Sequence, residues 1–371
     1  MSNLDILQQM SEPPNSGHRA VRPKKKPYVK ILVLVVSLTC IIAFAVPKVL
    51  AQFDGPPDFP GPGFGSISVK IEPGETLAQI GNSLKSLGVV ASVDGFIAAA
   101  NSNPESQNIA PGIYNLLGEM KSSDAISALL NPANRMVTEV VIPEGRRAAW
   151  ILDTLATTTG LPLAEFEAAV ANASNLGLPS YANGNVEGFL FPATYEFAPD
   201  VTAEQIIIEM IGRFNAEAEL INLEARAAEM GRSPYDIVTV ASLLEVEGHP
   251  RDFTKVARVV YNRLAEPMRL QFDSSVNYGL GKTDVILTTE LLETDTPYNV
   301  YLRDGLPPTP ISNPGAQALE AALNPEAGDW LYFITVDLNT QETKFTNSYS
   351  EFLIYKDEFL AYCNANDGAC W

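Results

Sequence analysis

The chain has 371 residues, enough for two or three domains, and carries 44 acidic against 25 basic residues for a formal net charge of −19. Seven of the bases and only two of the acids fall in residues 1–51, leaving 18 bases and 42 acids after them; so acidic a body lacks the clustered Lys and Arg that phosphate contacts need, which excludes nucleic-acid binding and suits solubility outside the cell. Three cysteines and two histidines exclude a multi-histidine metal site and leave any Ser-His-Asp or Cys-His mechanism resting on His249, so carboxylates are the expected acid–base groups, with no metal and no cofactor.

Residues 1–27 end in the basic "RPKKKP", and the uncharged "ILVLVVSLTCIIAFAV" follows at 31–46. With its flanks the apolar run is long enough for a bilayer core of about 30 Å. The positive-inside rule makes 1–27 a cytoplasmic tail and 28–51 a single transmembrane helix, with everything beyond it extracytoplasmic. "VLA" at 49–51 also fits a signal-peptide cleavage site, but the long basic leader and long apolar run favour a retained anchor. Residues 52–66, "QFDGPPDFPGPGFGS", read as a stiff Pro/Gly-rich linker.

The next two segments match in order and spacing. Residues 68–100 and 139–173 each carry a β-type run, a Pro/Gly/Glu turn, an amphipathic helix, a Gly turn and a second helix. Gly74 aligns with Gly145, Leu84 with Leu155 and Phe96 with Phe166. The echo continues from 112–130 to 193–211, which predicts two β-α-α-β-α units, the second with an insertion around 174–187. Ser122 or Ser123 and Thr202 are placed to cap the closing helices.

From 212 the pattern changes. A helix is expected over 216–231, closed by Gly231. "SPYDIVTVASLLEVEG" then shows strong start signals: Ser233 as N-cap, Pro234 at the first helical position, Asp236 in the first turn. Ile237, Val240, Ala241 and Leu244 form one face at helical spacing. A further helix follows Pro250, then a stretch rich in amides and aromatics, a hairpin at 330–348 turning near Asn339, and a last helix at 349–362. Cys363 and Cys370 in the tail are placed to close a disulfide loop in an oxidising compartment.

Two glutamates, Glu245 and Glu247, end the 234–247 helix, one on each edge of its apolar face. Apolar neighbours and the negative helix end both disfavour an ionised carboxyl and raise its pKa. A carboxylic acid kept protonated near neutral pH can protonate a leaving oxygen and then act as base, as glycosidic cleavage requires. The helical wheel does not choose between the two. Downstream, Tyr261, Tyr278, Tyr298 and Tyr301 alternate with Asn262, Gln271, Asp273, Asn277 and Asn299, a mixture that suits stacking on sugar rings and bonding to their hydroxyls.

The ordered strings "VEGFLFPATYEF" (186–197), "ASLLEVEG" (241–248), "VVYNRL" (259–264), "MRLQFDSSVNYGLG" (268–281), "DTPYNVYLRDGLPPTPISNPG" (295–315) and "WLYFITV" (330–336) resemble the endolytic murein transglycosylases, the YceG-like family. The resemblance covers roughly residues 66–355. It implies an α+β fold with a small LysM-like subdomain at 67–136 and a catalytic region at 137–371, the latter made of a second repeat-like unit at 137–211 and a core at 212–371. It further implies lytic cleavage of the MurNAc–GlcNAc bond within nascent peptidoglycan strands, leaving 1,6-anhydro-MurNAc ends and terminating elongation. The first acid of the family's "ASxxExE" motif falls on Glu245, which makes Glu245 the expected catalytic residue. Glu187, Tyr195, Glu247, Gln271, Asp273, Tyr278, Asn299 and Tyr301 are the expected substrate-binding or orienting residues. Partners are then peptidoglycan strands, the cell membrane, and peptidoglycan synthases of the growth or division machinery. The chain departs from the family at Val246, often Lys; at Ala193, where "FPDTY" has an acid; at "DSSV" (273–276) in place of "DPTV"; and in lacking a histidine near the last hairpin. Two alternatives stand beside this reading: a hydrolytic muramidase with Asp273 as second carboxylate at about 5–9.5 Å, and a non-catalytic wall-binding scaffold.

Overall fold

The structure, a computed structural model, describes residues 55–282 and 287–366 together with positions 36 and 39. The expected tail, the expected anchor apart from those two positions, and Cys370 lie outside the described residues. Among the described residues no helix is long and apolar enough to cross a membrane. Cys363 is buried and disulfide-bonded.

The elements mix helix and strand, an α+β chain. In order they are β1 (Phe64–Ile71), α1 (Leu77–Ser86), α2 (Val93–Ser102), β2 (Gly112–Gly118), α3 (Ser122–Leu130), β3 (Arg135–Met136), β4 (Thr138–Val141), α4 (Ala148–Thr159), α5 (Leu163–Ala171), β5 (Thr194–Phe197) and α6 (Ala203–Leu220). After these come α7 (Leu223–Glu229), α8 (Pro234–Glu247), α9 (Phe253–Ala265), α10 (Asp273–Gly279), α11 (Thr289–Leu292), α12 (Ala316–Leu323), the hairpin β6 (Tyr332–Asp337) and β7 (Glu342–Thr346), and α13 (Tyr349–Ala365). The order β-α-α-β-α thus occurs twice, from β1 to α3 and from β4 to α6. Its equivalent positions behave alike. Gly74 and Gly145 both have left-handed backbones, with φ of 81° and 73°, and Leu84, Leu155, Phe96 and Phe166 are all fully buried.

The chain forms two compact units. One comprises residues 55–65, 76–106 and 117–126; in it α1 packs on α2, and Gly88 and Val89 accept backbone hydrogen bonds from Glu119 and Met120. Asp58 accepts from the Ser122 amide at 2.9 Å, capping the start of α3. The other comprises 66–75, 107–116 and everything from 127 on. It holds the two-stranded sheets β4-β5 and β6-β7 and most of the strands of a third, ordered β1-β2-β3. β4 and β5 are antiparallel, with Val140 opposite Tyr195, and back onto a core made by α4, α5 and α6. β6 and β7 are antiparallel with a bulge between Thr335 and Asp337, and their turn is held by Asp337, which accepts from the amides of Asn339 and Thr340.

The second core of this unit is built around α8. Ser233 caps it as the sequence predicts: its hydroxyl accepts from the Asp236 amide at 3.1 Å, and the Asp236 carboxylate accepts from the Ser233 amide at 3.1 Å. The expected single helix over 216–231 is instead two. α6 runs on to Leu220, Asn222 adopts φ 53°, and α7 starts afresh before Gly231. Asparagine tolerates the left-handed conformation that breaks the helix there, a cost the apolar packing of Ala218, Leu223 and Ala227 offsets.

Candidate active site

α8 differs from its sequence reading in one respect that shapes the site. A single apolar face was expected, but every residue from Ile237 to Leu244 is buried, because α7, α9, α10 and α12 all pack around the helix. The two polar side chains between Ile237 and Leu244, Thr239 and Ser242, bond inward to the carbonyls of Tyr235 and Thr239. Ser242 also accepts from the Ile311 amide at 3.0 Å, and its carbonyl accepts from the Ser312 hydroxyl. Glu245 and Glu247 are therefore the first carboxylates to emerge from a helix fixed on all sides.

Glu245 is half-buried. Its Oε1 accepts from the Gly315 amide at 2.8 Å, at the start of α12. The turn carrying Gly145 lies against its stem: a Cβ on Gly145 would stand 3.5 Å from that of Glu245. This turn is pinned to the 313–315 segment by reciprocal backbone bonds, Gly145 N–H to the Asn313 carbonyl and Asn313 N–H to the Arg146 carbonyl, each 2.9 Å. The arrangement also brings in Glu144, whose carboxylate reaches the Cα of Gly315 closely enough that a methyl there would collide with it. Burial pushes the Glu245 carboxyl up to about 7; the Gly315 N–H opposes this and the negative Glu144 adds to it.

Glu247 faces elsewhere. Its Oε1 accepts from the Ser274 hydroxyl, and burial foremost, with Asp273 beside it, lifts its carboxyl to about 7 against the hydrogen bonds of Ser274 and the charge of Arg263. Asp273 in turn accepts from the Tyr301 hydroxyl at 2.6 Å. Arg263 is buried and holds the carbonyls of Leu331 and Leu270, tying α9 to the hairpin.

These groups border an open groove of about 890 Å³, room for several sugar units. Its walls come from residues 145–150, the end of α8, the 271–277 segment, Tyr301, the hairpin and Phe359 of α13. Glu247, Gln271, Asp273 and Tyr301 line it directly. Glu245 stands at its margin: Gly145, against which it packs, and Val246, beside it in sequence, both line the groove.

Glu187 and Tyr278 serve this frame from behind. Glu187 is buried, with Oε1 accepting from the Ala148 amide at 2.9 Å and the Asn313 side-chain amide at 2.8 Å, and Oε2 accepting from the Tyr278 hydroxyl at 3.0 Å. Arg147 caps α4 with no side-chain bond, so Glu187 supplies the anionic cap from a distant segment. Burial lifts Glu187 to about 7 despite these donors and Arg147.

Two expected sugar contacts are corrected by the structure. Tyr195 is fully buried in the β4-β5 core, stacked on Phe197 at 5.6 Å, with its hydroxyl donated to the Phe191 carbonyl. Asn299 is fully buried, donating to the carbonyls of Leu292 and Thr294 and accepting from the Tyr301 amide at 3.0 Å. Neither presents an atom to a ligand; Asn299 holds the loop that carries Tyr301.

Sequence reasoning missed Asn313, Gly315 and Glu144. Asn313 is a saturated hub: Oδ1 accepts from the amides of Gly188 and Leu190, while Nδ2 donates to Arg146 and Glu187. In the sequence it is an amide between Pro310 and Pro314, inside the 295–315 string that carries the family resemblance.

The chain is similar to known proteins over most of its length. The sequence profile of the YceG-like family matches residues 69–358. The endolytic murein transglycosylase of Bacillus subtilis (strain 168) is 30% identical over 315 residues, covering 81% of this chain and 86% of that one. The endolytic murein transglycosylase of Streptococcus pneumoniae (strain ATCC BAA-255 / R6) is 29% identical over 76% of this chain, which spans only 56% of that relative's length. A crystal structure of a YceG-like protein from Listeria monocytogenes superposes with a TM-score of 0.52 at 31% identity, over 78% of this chain and 99% of that one. The chain belongs to the YceG-like family.

Proposed function

We propose that the protein is a lytic transglycosylase that cleaves the MurNAc–GlcNAc bond within peptidoglycan strands, and that Glu245 is its acid–base. Its relatives in Bacillus and Streptococcus bear that activity in their names. The observation that carries the assignment is a half-buried carboxyl, held near a pKa of 7, at the margin of a sugar-sized groove. Protonated, Glu245 gives its proton to the glycosidic oxygen as the C1–O bond breaks. The resulting carboxylate takes the proton of the MurNAc C6 hydroxyl, and O6 closes on C1 to leave a 1,6-anhydro end. One carboxyl thus serves both steps and is regenerated, with no water consumed. Gln271, Asp273 and Tyr301 are the groove residues proposed to hold the strand, with Glu187 and Tyr278 as positioning residues.

A second assignment has its own support, since Glu247 also sits near 7 and lines the groove directly. Purified peptidoglycan digested with wild type, Glu245→Gln and Glu247→Gln separates the two. Loss of anhydro ends in Glu245→Gln with cleavage retained in Glu247→Gln supports the first; the reverse pattern moves the chemistry to Glu247. Reducing ends in the wild-type digest identify a hydrolase, and unaltered cleavage in both variants sinks either assignment.

We further infer that residues 1–27 are cytoplasmic, 28–51 a retained anchor in the bacterial cell membrane and 52–66 a linker, followed by a LysM-like subdomain at 67–136 and the catalytic region at 137–371. The basic leader, the uncharged run and the repeated element order support this layout. An enzyme so tethered meets strands as they are made and terminates their elongation beside the peptidoglycan synthases. Protease accessibility of each terminus in intact spheroplasts tests the orientation: an N-terminal tag cut from outside overturns it.

A further inference from the structure

The groove has one cationic stretch, at the turn into α4. Arg146, Arg147 and Trp150 all line it. In a chain with 44 acids and 25 bases, an arginine facing a cavity ordinarily finds a carboxylate of its own. Arg147 partly does: it is half-buried, lies 5.2 Å over the Tyr278 ring, and feels the charge of Glu187. Arg146 does not. Among the described residues it makes no ion pair, and its guanidinium instead lies 4.8 Å over the ring of Trp150, which is 39% exposed. The neighbouring acid, Glu144, is turned toward Gly315 and Glu245.

The root of Arg146 is rigid, because its carbonyl accepts from both the backbone and the side-chain amide of Asn313. Stacking on an indole further restricts the side chain while leaving the edge of the planar fork open, the edge that pairs with a carboxylate. Elsewhere the groove is lined by Asp273 and Glu247, neither of which attracts an anionic group, and this leaves the arginine stretch as the place for one.

We propose that Arg146, stacked on Trp150 and backed by Arg147, is an anion subsite that receives a carboxylate carried by the MurNAc unit of the strand. The inference rests on the transglycosylase reading for the identity of the ligand. Two carboxylates meet the description: those of the stem peptide, and the lactyl carboxylate that is freed when the peptide is removed.

The test uses the full chain and soluble peptidoglycan strands in three forms: native, with carboxylates capped as methylamides, and stripped of peptides by an amidase. Arg146→Glu is expected to raise KM on native strands at least about five-fold with kcat within about two-fold of wild type, the signature of lost ground-state binding at an exposed charge. Capping should raise the wild-type KM similarly and leave that of Arg146→Glu unchanged; Trp150→Ala should fall between. An unchanged KM in Arg146→Glu, or capping that affects both proteins equally, overturns the subsite. On stripped strands a persistent Arg146 effect supports the subsite with the lactyl carboxylate as its ligand, and a vanished effect supports it with the stem peptide. Product ends scored in the wild-type digest test the transglycosylase reading separately, since Arg146-dependent KM with reducing ends keeps the subsite and discards that reading.

Discussion

At Glu245 the protein combines a carboxyl kept protonated by burial, a single amide donor from Gly315, and a second carboxylate, Glu144, close enough to matter. Glu144 is exposed. Removing its charge stabilises ionised Glu245 and lowers that pKa. On the proposed mechanism the acid form starts the reaction, so the wild-type rate is expected to fall as pH rises through about 7. Glu144→Gln is expected to move this alkaline limb to lower pH, by up to about one unit, with the rate at pH 5.5 little changed. A pH profile of kcat/KM on soluble strands reads this directly; a limb that stays in place removes Glu144 from the account. Glu245→Gln itself is expected to lower kcat by about 10²- to 10⁴-fold, the usual worth of a positioned acid–base group, while leaving binding of native strands intact.

At the scale of elements, the site depends on α8 being locked against the 310–315 segment. Ser242 accepts the Ile311 amide in a fully buried setting. Ser242→Ala leaves that donor without its acceptor and is expected to cost about 1–3 kcal/mol of stability, seen as a lower urea midpoint at unchanged m-value. Gly188 shows the tighter constraint. Its φ is 93°, and a Cβ there would lie 2.6 and 2.7 Å from the Pro310 ring and 3.0 Å from Val238. A proline ring cannot swing aside and Val238 belongs to the α8 core, so Gly188→Ala combines backbone strain with overpacking. A loss of about 3 kcal/mol or more is expected in the same urea titration; a variant within about 1 kcal/mol of wild type contradicts the packing described.

At the scale of the whole molecule, three carboxyls among the described residues, Glu187, Glu245 and Glu247, are lifted from the ordinary 4.5 to about 7 in the fold. A carboxyl raised on folding favours the protonated native state. Its stability is fully present below about pH 4.5 and is lost as pH rises through 7. For the buried Glu187 a shift of this size corresponds to on the order of 3 kcal/mol at full development. The lowered acids, among them Asp200, Asp337 and Glu351, are exposed and act in the opposite sense only at more acid pH. The melting temperature is therefore expected to fall between pH 5 and pH 8, and to fall less in Glu187→Gln, whose amide oxygen can keep the Ala148 and Asn313 donors. A melting temperature flat over that range, or an unchanged slope in the variant, contradicts the linkage.

Local sequence determined the parts whose information is local. Ser233, Pro234 and Asp236 fixed where α8 begins, the spacing of Gly74 and Gly145 carried the repeated element order, and Asp337 to Gln341 set the hairpin turn, because caps, turns and periodicity act within a few residues. The paired glutamates were visible as an anomaly at a helix end for the same reason. Tertiary structure decided what each of them touches. Gly315, 70 positions downstream, supplies the donor to Glu245, and Ser274 supplies the one to Glu247. Asn313 joins Arg146, Glu187 and Gly188 across more than 120 residues of chain to the latter two. Tyr195 and Asn299 passed for sugar contacts because residue type alone does not reveal burial. Desolvation, the largest cause of every raised carboxyl here, depends on which distant segments close over a side chain, and no local pattern encodes that.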